Sequence, residues 1–232
     1  MILVEELRAG YEGLEVLKGV SLRVDRGNAL ALIGRNGAGK TTLLRSIMGY
    51  LRPLTGRILL DGVDVTGWKP HRVARLGVAY VPQDLIVFPQ LTVEENLRLA
   101  AVGGEGWDLS REAFKLIPEL EALRWRRAGQ MSGGEQRMLA VARALASRPR
   151  ILLLDEPLTG LMPLVIRRIV ESLARLKEEG AAILIVEQNP HAVLGVVDKV
   201  ALMDGGRIPW TIDAEDARRR PETLGPVLGL SG

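Results

Sequence analysis

The sequence predicts an α/β protein built on a mainly parallel sheet. Short, continuously apolar runs at Ile151–Leu154 and Ala181–Val186 flank an amphipathic helical run at Pro163–Glu179. Continuous apolar strands that alternate with helices indicate parallel strands covered on both faces. A second strand–helix unit joins the apolar run Asn28–Ile33 to the helical run Lys40–Met48, which a glycine then ends.

The beginning and the middle of the chain follow other patterns. Residues 1–30 alternate polar and apolar side chains, which predicts short antiparallel strands. Residues from about 84 to 149 are mostly helical in pattern, with breaks at Gly103–Gly106 and Gly133–Gly134. The polar, arginine-rich tail after Ile208 is expected to be peripheral.

These patterns predict one domain of 232 residues, a length that buries a substantial apolar core. Its core would consist of residues 1–83 and 150–232. Near the end of the first part, a short strand at Gly77–Val81 is closed by Pro82. An antiparallel β subdomain would form at the start of the chain. A helical subdomain of about 84–149 would be inserted between the two parts of the core.

Composition excludes several kinds of site. The chain has no cysteine, which rules out disulfides and thiolate metal ligands, and it has only two histidines. Its apolar runs are of strand length, far below the roughly 18–20 residues that a membrane span needs. The N-terminal segment M-I-L-V-E-E-L-R-A-G lacks the apolar stretch of a signal peptide. We therefore expect a cytoplasmic protein that is not itself embedded in a membrane.

The positive charges do not indicate a nucleic-acid partner. The net charge is +3 at a sequence pI of about 9.4, and arginines cluster only at 124–127 and 218–220. A DNA-binding protein would present a basic helix or stripe, and a single-strand binder needs stacking aromatics, which make up only 4% here. We expect these arginines to lie on a solvated face and predict no nucleic-acid ligand.

The strongest motif lies between the first apolar strand and the helix that follows. Gly34–Thr42 reads G-R-N-G-A-G-K-T-T and fits the phosphate-loop pattern G-x-x-x-x-G-K-[ST] in its strand–helix context. Glycines let backbone N–H groups surround a phosphate, and the helix directs its positive end at the same anion. Lys40 is predicted to reach the β- and γ-phosphates of ATP, and the Thr41 hydroxyl to bind Mg²⁺. The residues predicted to contact the nucleotide here are Gly34, Arg35, Asn36, Gly37, Ala38, Gly39, Lys40, Thr41 and Thr42.

Two carboxylates follow the buried strand that begins at Ile151. The run I-L-L-L-D-E places Asp155 and Glu156 at the carboxyl end of the strand, the edge at which open α/β sheets bind ligands. Asp155 is predicted to be a direct or indirect partner of Mg²⁺, and Glu156 to orient or deprotonate the attacking water. Either carboxylate alone could simply cap the next helix, and the phosphate loop favours the functional interpretation of both.

A serine–glycine motif narrows the class of ATPase. Met131–Gln136 reads M-S-G-G-E-Q and resembles the L-S-G-G-Q signature of ABC ATPases, just upstream of the D-E strand as in that family. Ser132 can cap the helix that begins there, and Gly133 and Gly134 leave N–H groups that the γ-phosphate of another subunit's ATP can approach. The resemblance covers residues 3 to about 208. It implies the ABC ATPase fold, with a P-loop NTPase (RecA-like) core, and ATP hydrolysis coupled to membrane transport.

Two further residues and the assembly follow from this resemblance. Tyr11 lies where ABC ATPases keep an aromatic residue that stacks on adenine, although it could also be an ordinary strand residue. Gln83 matches the loop glutamine that contacts Mg²⁺ or its water and faces the membrane partner. The implied assembly is a dimer with a second ABC ATPase subunit, identical or different, docked on membrane permease subunits at the inner face of the membrane.

Three segments resemble one branch of the family, the ATPases of branched-chain amino acid importers. They are P-H-R-V-A-R-L-G-V-A-Y-V-P-Q (Pro70–Gln83), V-F-P-Q-L-T-V-E-E-N-L (Val87–Leu97) and V-E-Q-N (Val186–Asn189). The last points to the shorter of the two ATPases of such importers. The branch also implies an extracytoplasmic solute-binding protein in the same system. The substrate follows by analogy alone, because the transported molecule never contacts this subunit.

Two positions depart from the family pattern. Gln188 stands where most ABC ATPases have a histidine that contacts the γ-phosphate. A glutamine can donate an N–H to a phosphate oxygen but carries no proton or positive charge, so we expect a catalytic Gln188 with reduced turnover. His191 is expected to be a surface residue on the next helix. Met162 lies near the place where the family commonly has an aspartate that contacts the phosphate loop of the opposite subunit, and a methionine cannot make that polar contact.

Two other function classes stay open at the level of sequence. ABC ATPases of DNA repair or translation usually carry two cassettes or a long coiled-coil insertion, and neither is present in 232 residues. A nucleotide-gated binding module without turnover is suggested by Gln188 and Met162, whereas the intact pair Asp155 and Glu156 argues for an enzyme. An ATPase assay separates the module from the enzyme, and co-purification with a permease separates transport from other functions.

Overall fold

The structure is a computed structural model that describes residues 1–84, 87–99, 108–188 and 190–219. Within these residues the strands are β1 (Ile2–Tyr11), β2 (Leu14–Val24), β3 (Ala29–Ile33), β4 (Thr55–Leu60), β5 (Val63–Asp64), β6 (Val78–Val81), β7 (Ile151–Asp155), β8 (Ala182–Glu187), β9 (Lys199–Asp204) and β10 (Arg207–Asp213). The α-helices are α1 (Lys40–Ile47), α2 (Pro70–Ala74), α3 (Val93–Arg98), α4 (Leu109–Leu116), α5 (Gly133–Ala146), α6 (Pro163–Glu178) and α7 (Ala214–Arg219). No helix in this part of the chain has the length and apolar character to cross a membrane.

The larger of two sheets confirms the predicted α/β class with mainly parallel strands. Its strand order is β10-β9-β3-β8-β7-β6, and the strands from β9 to β6 run parallel. Neighbouring strands end at nearly the same level of the sheet, because Ile33 pairs with Glu187 and Asp155 pairs with Val186. The loops that follow β3, β6, β7 and β8 therefore leave the sheet at one edge, which is the usual ligand-binding edge of such sheets.

Both faces of this sheet are covered, which explains the uninterrupted apolar runs. Every residue of β3, β7 and β8 is buried. On β3, the side chains of Ala31 and Ile33 belong to the core that contains α5 and α6, whereas Leu30 and Leu32 belong to the core beneath the other sheet and α1. Because successive side chains of a strand point to opposite faces, a strand between two layers is apolar at every position.

The second sheet is antiparallel, with the strand order β2-β1-β4-β5. The alternating start of the chain is thus confirmed as antiparallel, but it forms two long strands of 10 and 11 residues instead of several short ones. They are joined by the two-residue turn Glu12–Gly13, whose positive φ angles of 45° and 86° suit a tight hairpin. The pairing of β1 with β2 shifts in register between Val4 and Leu7, where the alternation of buried and exposed residues in β1 is also interrupted.

The middle of the chain is helical in the residues that the structure describes. Here α3, α4 and α5 alternate with 3₁₀ turns at Pro118–Leu123 and Ala128–Gln130. Gly133 and Gly134 do not break a helix, because they form the first turn of α5. The expected break at Gly103–Gly106 lies outside the described residues. The assignment of residues 84–149 to an inserted subdomain stays a prediction.

Of the tail after Ile208, the structure describes residues up to 219, and these are less peripheral than their composition suggests. β10 pairs antiparallel with β9 at the edge of the larger sheet, and Ala214 and Ala217 of α7 are buried. The polar composition concealed this strand because β10 is an edge strand in which alternate residues are exposed.

Candidate active site

The phosphate loop joins the inner strand β3 to the start of α1. Gly34 follows β3 directly, and a Cβ at this position would lie 2.2 Å from the carbonyl oxygen of Met203, so only glycine fits. The tip of the loop, Arg35–Gly37, is exposed, whereas Lys40 is buried. Lys40 Nζ donates hydrogen bonds to the carbonyl oxygens of Gly34 (2.7 Å) and Arg35 (3.1 Å). The ammonium group therefore lies against the inside of the loop.

Burial lowers the pKa of Lys40 below its usual value, and the carboxylates of Glu156, Asp155 and Glu187 act in the opposite direction. A desolvated ammonium gains strongly from a neighbouring anion, because Coulomb interactions are stronger where water is excluded. The position of Lys40 thus suits the binding of phosphate groups at this loop.

Asp155 is a buried carboxylate beside the Thr41 hydroxyl. It is the last residue of β7, it is 1% exposed, and neither of its side-chain oxygens is bonded within the described residues. Burial raises its pKa, while the neighbouring Thr41 hydroxyl and the charge of Lys40 oppose this effect. An unpartnered buried carboxylate beside a hydroxyl is the donor set that a hard cation such as Mg²⁺ prefers. The residues present therefore fit the predicted metal.

Glu156, the next residue, is held from two sides by glutamines. Gln188 Nε2 donates a 2.8 Å hydrogen bond to Oε1, and Gln83 Nε2 donates a 3.3 Å hydrogen bond to Oε2. The Glu156 backbone has a φ of 50°, and its N–H donates to the Val186 carbonyl oxygen at 2.9 Å. A left-handed φ is unfavourable for a residue with a side chain, and strain of this kind is concentrated at functional sites.

This arrangement follows from the order of strands in the sheet. Gln83 follows β6 and Gln188 follows β8, and both strands are direct neighbours of β7, which Glu156 directly follows. Glu156 is 6% exposed while both glutamines are exposed, so the amides cover the carboxylate on the solvent side. The sequence predicts that Gln188 donates to a phosphate oxygen, and in the structure its donated bond goes to Glu156. His191, as expected, is exposed, on a 3₁₀ turn (Pro190–Ala192).

Tyr11 lies at the hairpin that ends near the phosphate loop. It is the last residue of β1 and 40% exposed. The following strand contacts the loop, since a Cβ at Gly39 would lie 3.1 Å from Leu17. The Tyr11 hydroxyl also raises the pKa of the Arg45 guanidinium on α1. An exposed ring in this place is accessible for stacking on a base.

The Ser132–Gly134 turn is built to present donors outward. Ser132 caps α5 as the sequence predicts, because its Oγ accepts a hydrogen bond from Glu135 N (3.3 Å) and Glu135 Oε2 accepts one from Ser132 N (2.7 Å). Gly133 is exposed, and a Cβ there would meet nothing within 4 Å. No hydrogen bond or ion pair in the described part of the chain joins this turn to residues 34–42. The turn is therefore open to another molecule.

Glu187 is a site residue that the sequence analysis missed. It is 6% exposed at the end of β8, and its Oε1 accepts a 3.3 Å hydrogen bond from the N–H of Leu158. Desolvation raises its pKa to about 7, with a further contribution from the charge of Glu156. The signal available in the sequence was a glutamate directly after an apolar, fully buried strand.

Comparison with known proteins identifies this set of motifs. A family model described as "ABC transporter" matches residues 17–159, from β2 through the phosphate loop, the serine–glycine turn and the D-E strand. The chain belongs to the ABC transporter family. It is an ATP-binding subunit and an ATPase of that family, which confirms the predicted fold and reaction.

Curated relatives and a solved structure cover nearly the whole of this ABC ATPase. The high-affinity branched-chain amino acid transport ATP-binding protein BraG of Pseudomonas aeruginosa is 39% identical over 90% of this chain and 91% of its own length. The probable branched-chain amino acid transport ATP-binding protein LivF of Archaeoglobus fulgidus is 38% identical over 93% of both chains. A putative 2-aminoethylphosphonate import ATP-binding protein, PhnT of Salmonella typhimurium, is 38% identical over 89% of this chain but only 57% of its own length. A solved ATP-binding subunit of an ABC transporter superposes with a TM-score of 0.84 at 30% identity, over 97% of this chain and 95% of that one.

Proposed function

We propose that this ATPase energises the import of branched-chain amino acids through separate membrane permease subunits. The support is the similarity to BraG and LivF, which are matched along 91% and 93% of their length. PhnT is similar to this chain at 38% identity, but the match covers only 57% of its own length. The chain would then work at the inner face of the cell membrane, together with an extracytoplasmic solute-binding protein and without a nucleic-acid partner.

The observation that carries hydrolysis is the placement of Glu156 between two amide donors and near Lys40. Gln83 and Gln188 hold both carboxylate oxygens in place, so the carboxylate is oriented before substrate arrives. Water attacks the γ-phosphorus of ATP, the bond from this phosphorus to the bridging oxygen breaks, and Glu156 accepts or directs the proton of the water. Lys40 stabilises the charge that develops on the phosphate oxygens.

Mg²⁺ completes this site in our proposal. Thr41, Gln83 and Asp155 would hold it. The support for this assignment is that the oxygens of Asp155 accept no hydrogen bond from the described residues. When bound, the ion neutralises part of the negative charge of the phosphates. Residues 34–42 would surround the phosphates through their N–H groups, and Tyr11 would stack on the adenine.

A second ATPase subunit, identical or different, is the proposed partner at the nucleotide. The open Ser132–Gly134 turn of one subunit would cover the ATP bound at the phosphate loop of the other. The Ser132 hydroxyl accepts the capping bond, which leaves its proton free to be donated to a γ-phosphate oxygen. Because the γ-phosphate is present only before hydrolysis, its loss removes a contact that exists only in the closed dimer.

The test is transport by the reconstituted system. Proteoliposomes containing the permeases and this chain, with ATP on its side and the solute-binding protein on the other, should accumulate labelled leucine. Replacing Glu156 with glutamine should abolish uptake, and a matched change on the exposed face of α6, Glu171→Gln, should not. Uptake of 2-aminoethylphosphonate without uptake of leucine would contradict the proposed substrate. Retention of ATP without any turnover would instead support a nucleotide-gated module.

A further inference from the structure

Arg137 joins two loops of the active site to the helix that carries the serine–glycine turn. It lies on α5, one turn after Ser132–Gly134. Its Nη1 donates a 2.9 Å hydrogen bond to the carbonyl oxygen of Thr159, and its Nη2 donates a 3.2 Å hydrogen bond to the carbonyl oxygen of Gln83. One guanidinium group therefore holds two backbone segments that are far apart in sequence.

Both backbone segments are connected to Glu156, one by a hydrogen bond and the other along the chain. The side chain of Gln83 donates to Glu156 Oε2, so Arg137 holds the backbone of a residue that orients the carboxylate. Thr159 lies three residues after Glu156, in the loop between β7 and α6. Among the described residues, no hydrogen bond or ion pair joins Arg137 to Glu156 itself. It acts on the carboxylate through the residues that carry and orient it.

The same loop contacts α5 a second time. A Cβ at Gly134 would lie 2.7 Å from the carbonyl oxygen of Gly160, so the first turn of α5 rests against this loop. On its other side the loop is held by the bond from Leu158 N–H to Glu187. A displacement of the first turn of α5 is therefore transmitted to residues 158–160 through backbone contacts as well as through Arg137.

We propose that Arg137 is a positioning residue that couples the Ser132–Gly134 turn to Glu156 of the same subunit. The inference rests on the proposed function, in which that turn covers the nucleotide of the second subunit. When the turn binds the nucleotide of the second subunit, α5 moves and displaces both loops. This displacement sets the orientation of Glu156. Hydrolysis at one nucleotide site then depends on whether the other site holds ATP. The coupling runs through Arg137 and not through Met162, which cannot make a polar contact with the opposite subunit.

An arginine is suited to this role by its geometry. The planar guanidinium presents several donors in a fixed fork, so two acceptors on different loops are held at a constant separation. A lysine places one flexible point charge there and can satisfy either carbonyl but does not fix their separation. A glutamine retains a donor but not the charge or the fork.

The experiment compares Arg137→Gln and Arg137→Lys with wild type, using the full chain in its native dimer. We expect the Kd for ATP to stay within about twofold, because no hydrogen bond of Arg137 involves the phosphate loop. The kcat should fall on the order of tenfold in Arg137→Gln and be partly restored in Arg137→Lys, and the Hill coefficient for ATP should decrease towards one. Arg167→Gln, an exposed arginine of α6, is the control and should match wild type.

Three other outcomes would contradict either the inference or the proposed function. Unchanged kcat and cooperativity in both Arg137 variants would overturn the inference. A parallel loss of ATP affinity, kcat and melting temperature in both variants would also overturn it, because it would show a purely structural role. If wild type itself neither binds nor hydrolyses ATP, the proposed function fails, whatever the Arg137 variants do.

Discussion

At the residue scale, the site gathers three carboxylates in a place shielded from water. Asp155, Glu156 and Glu187 are all buried, and all three carboxylates act on the charge of Lys40. Buried charges are costly unless they are paired. Asp155 is the one of the three whose two oxygens accept no hydrogen bond from the described residues, although the charges of Lys40 and Arg45 act on it. The desolvation of this carboxylate is a physical reason for a cation, brought in with the nucleotide, at this position.

Replacing Glu156 with glutamine should separate binding from turnover. The amide keeps the volume of the carboxylate but cannot accept a proton, so ATP should bind with unchanged affinity while kcat falls by at least ~100-fold. Equilibrium binding and steady-state phosphate release measure the two effects. Hydrolysis at the wild-type rate would refute the role of Glu156, and Glu171→Gln serves as the control.

Gln188 offers a second test at this scale. Gln188→Ala removes the 2.8 Å hydrogen bond to Glu156, and we expect kcat to fall on the order of tenfold. Gln188→His should raise turnover above the wild-type value and introduce a pH dependence near the usual histidine pKa of about 6.5. A kcat that is insensitive to Gln188→Ala would remove this residue from the mechanism.

Glu187 predicts a pH dependence of stability. Its pKa of about 7 in the native state exceeds the usual glutamate value of 4.5, so the native state holds this proton more tightly than the unfolded state. The free energy of unfolding should therefore fall as the pH rises from about 4.5 to about 7. Glu187→Gln lacks this titration and should gain up to about 3 kcal/mol relative to wild type over that interval. Urea unfolding at pH 4.5 and pH 8 measures the difference, and parallel pH profiles would contradict it.

At the element scale, the first turn of α5 assigns different roles to two adjacent glycines. Gly134 faces the carbonyl oxygen of Gly160 within its own chain, whereas a Cβ added at Gly133 would have no neighbour within 4 Å. The packing of this subunit therefore leaves room for a side chain at position 133. In the proposed dimer, a glycine there would allow the close approach of the nucleotide of the second subunit.

Two alanine substitutions test this distinction. Gly134→Ala places a methyl group 2.7 Å from a carbonyl oxygen and should lower the melting temperature together with activity. Gly133→Ala should leave the melting temperature unchanged but reduce ATP hydrolysis, because the methyl group obstructs the γ-phosphate. Differential scanning fluorimetry and an ATPase assay distinguish the two. Equal loss of stability in both variants would contradict the proposed partner surface.

At the scale of the whole molecule, the parallel sheet brings four loops from distant parts of the chain to one edge. The strands β3, β6, β7 and β8 deliver the phosphate loop, Gln83, Glu156 and Gln188 to it. The serine–glycine turn, by contrast, makes no hydrogen bond with this set among the described residues. In the proposed dimer, each chain would thus supply both halves of a nucleotide site without joining them itself.

Association should therefore depend on ATP. The Glu156→Gln variant with Mg²⁺ and ATP, alone or with its partner ATPase, should elute as a dimer in size-exclusion chromatography with light scattering. ADP should not support the dimer, because the γ-phosphate contact is missing. Lys40→Ala in the same background should remain monomeric through loss of nucleotide affinity. Dimerisation that ignores the nucleotide, or its complete absence, would contradict the proposed arrangement.

The sequence by itself determined the parts of this protein whose chemistry is local. The phosphate loop, the capped serine–glycine turn and the pair Asp155 and Glu156 each act through contiguous residues, so their patterns are visible without a fold. The buried strands were equally visible, because a strand between two layers is apolar throughout. An edge strand such as β10 carries no such pattern and was missed.

Only the tertiary structure decided how these parts act on each other. The hydrogen bonds from Gln83 and Gln188 to Glu156 span 73 and 32 residues of sequence, and they exist because β6, β7 and β8 are neighbours in the sheet. The burial that raises the pKa of Glu187 and the bridge of Arg137 from α5 to two loops depend on the same packing. Side-chain identity sets what a residue can donate or accept, whereas strand order sets the partner that it meets.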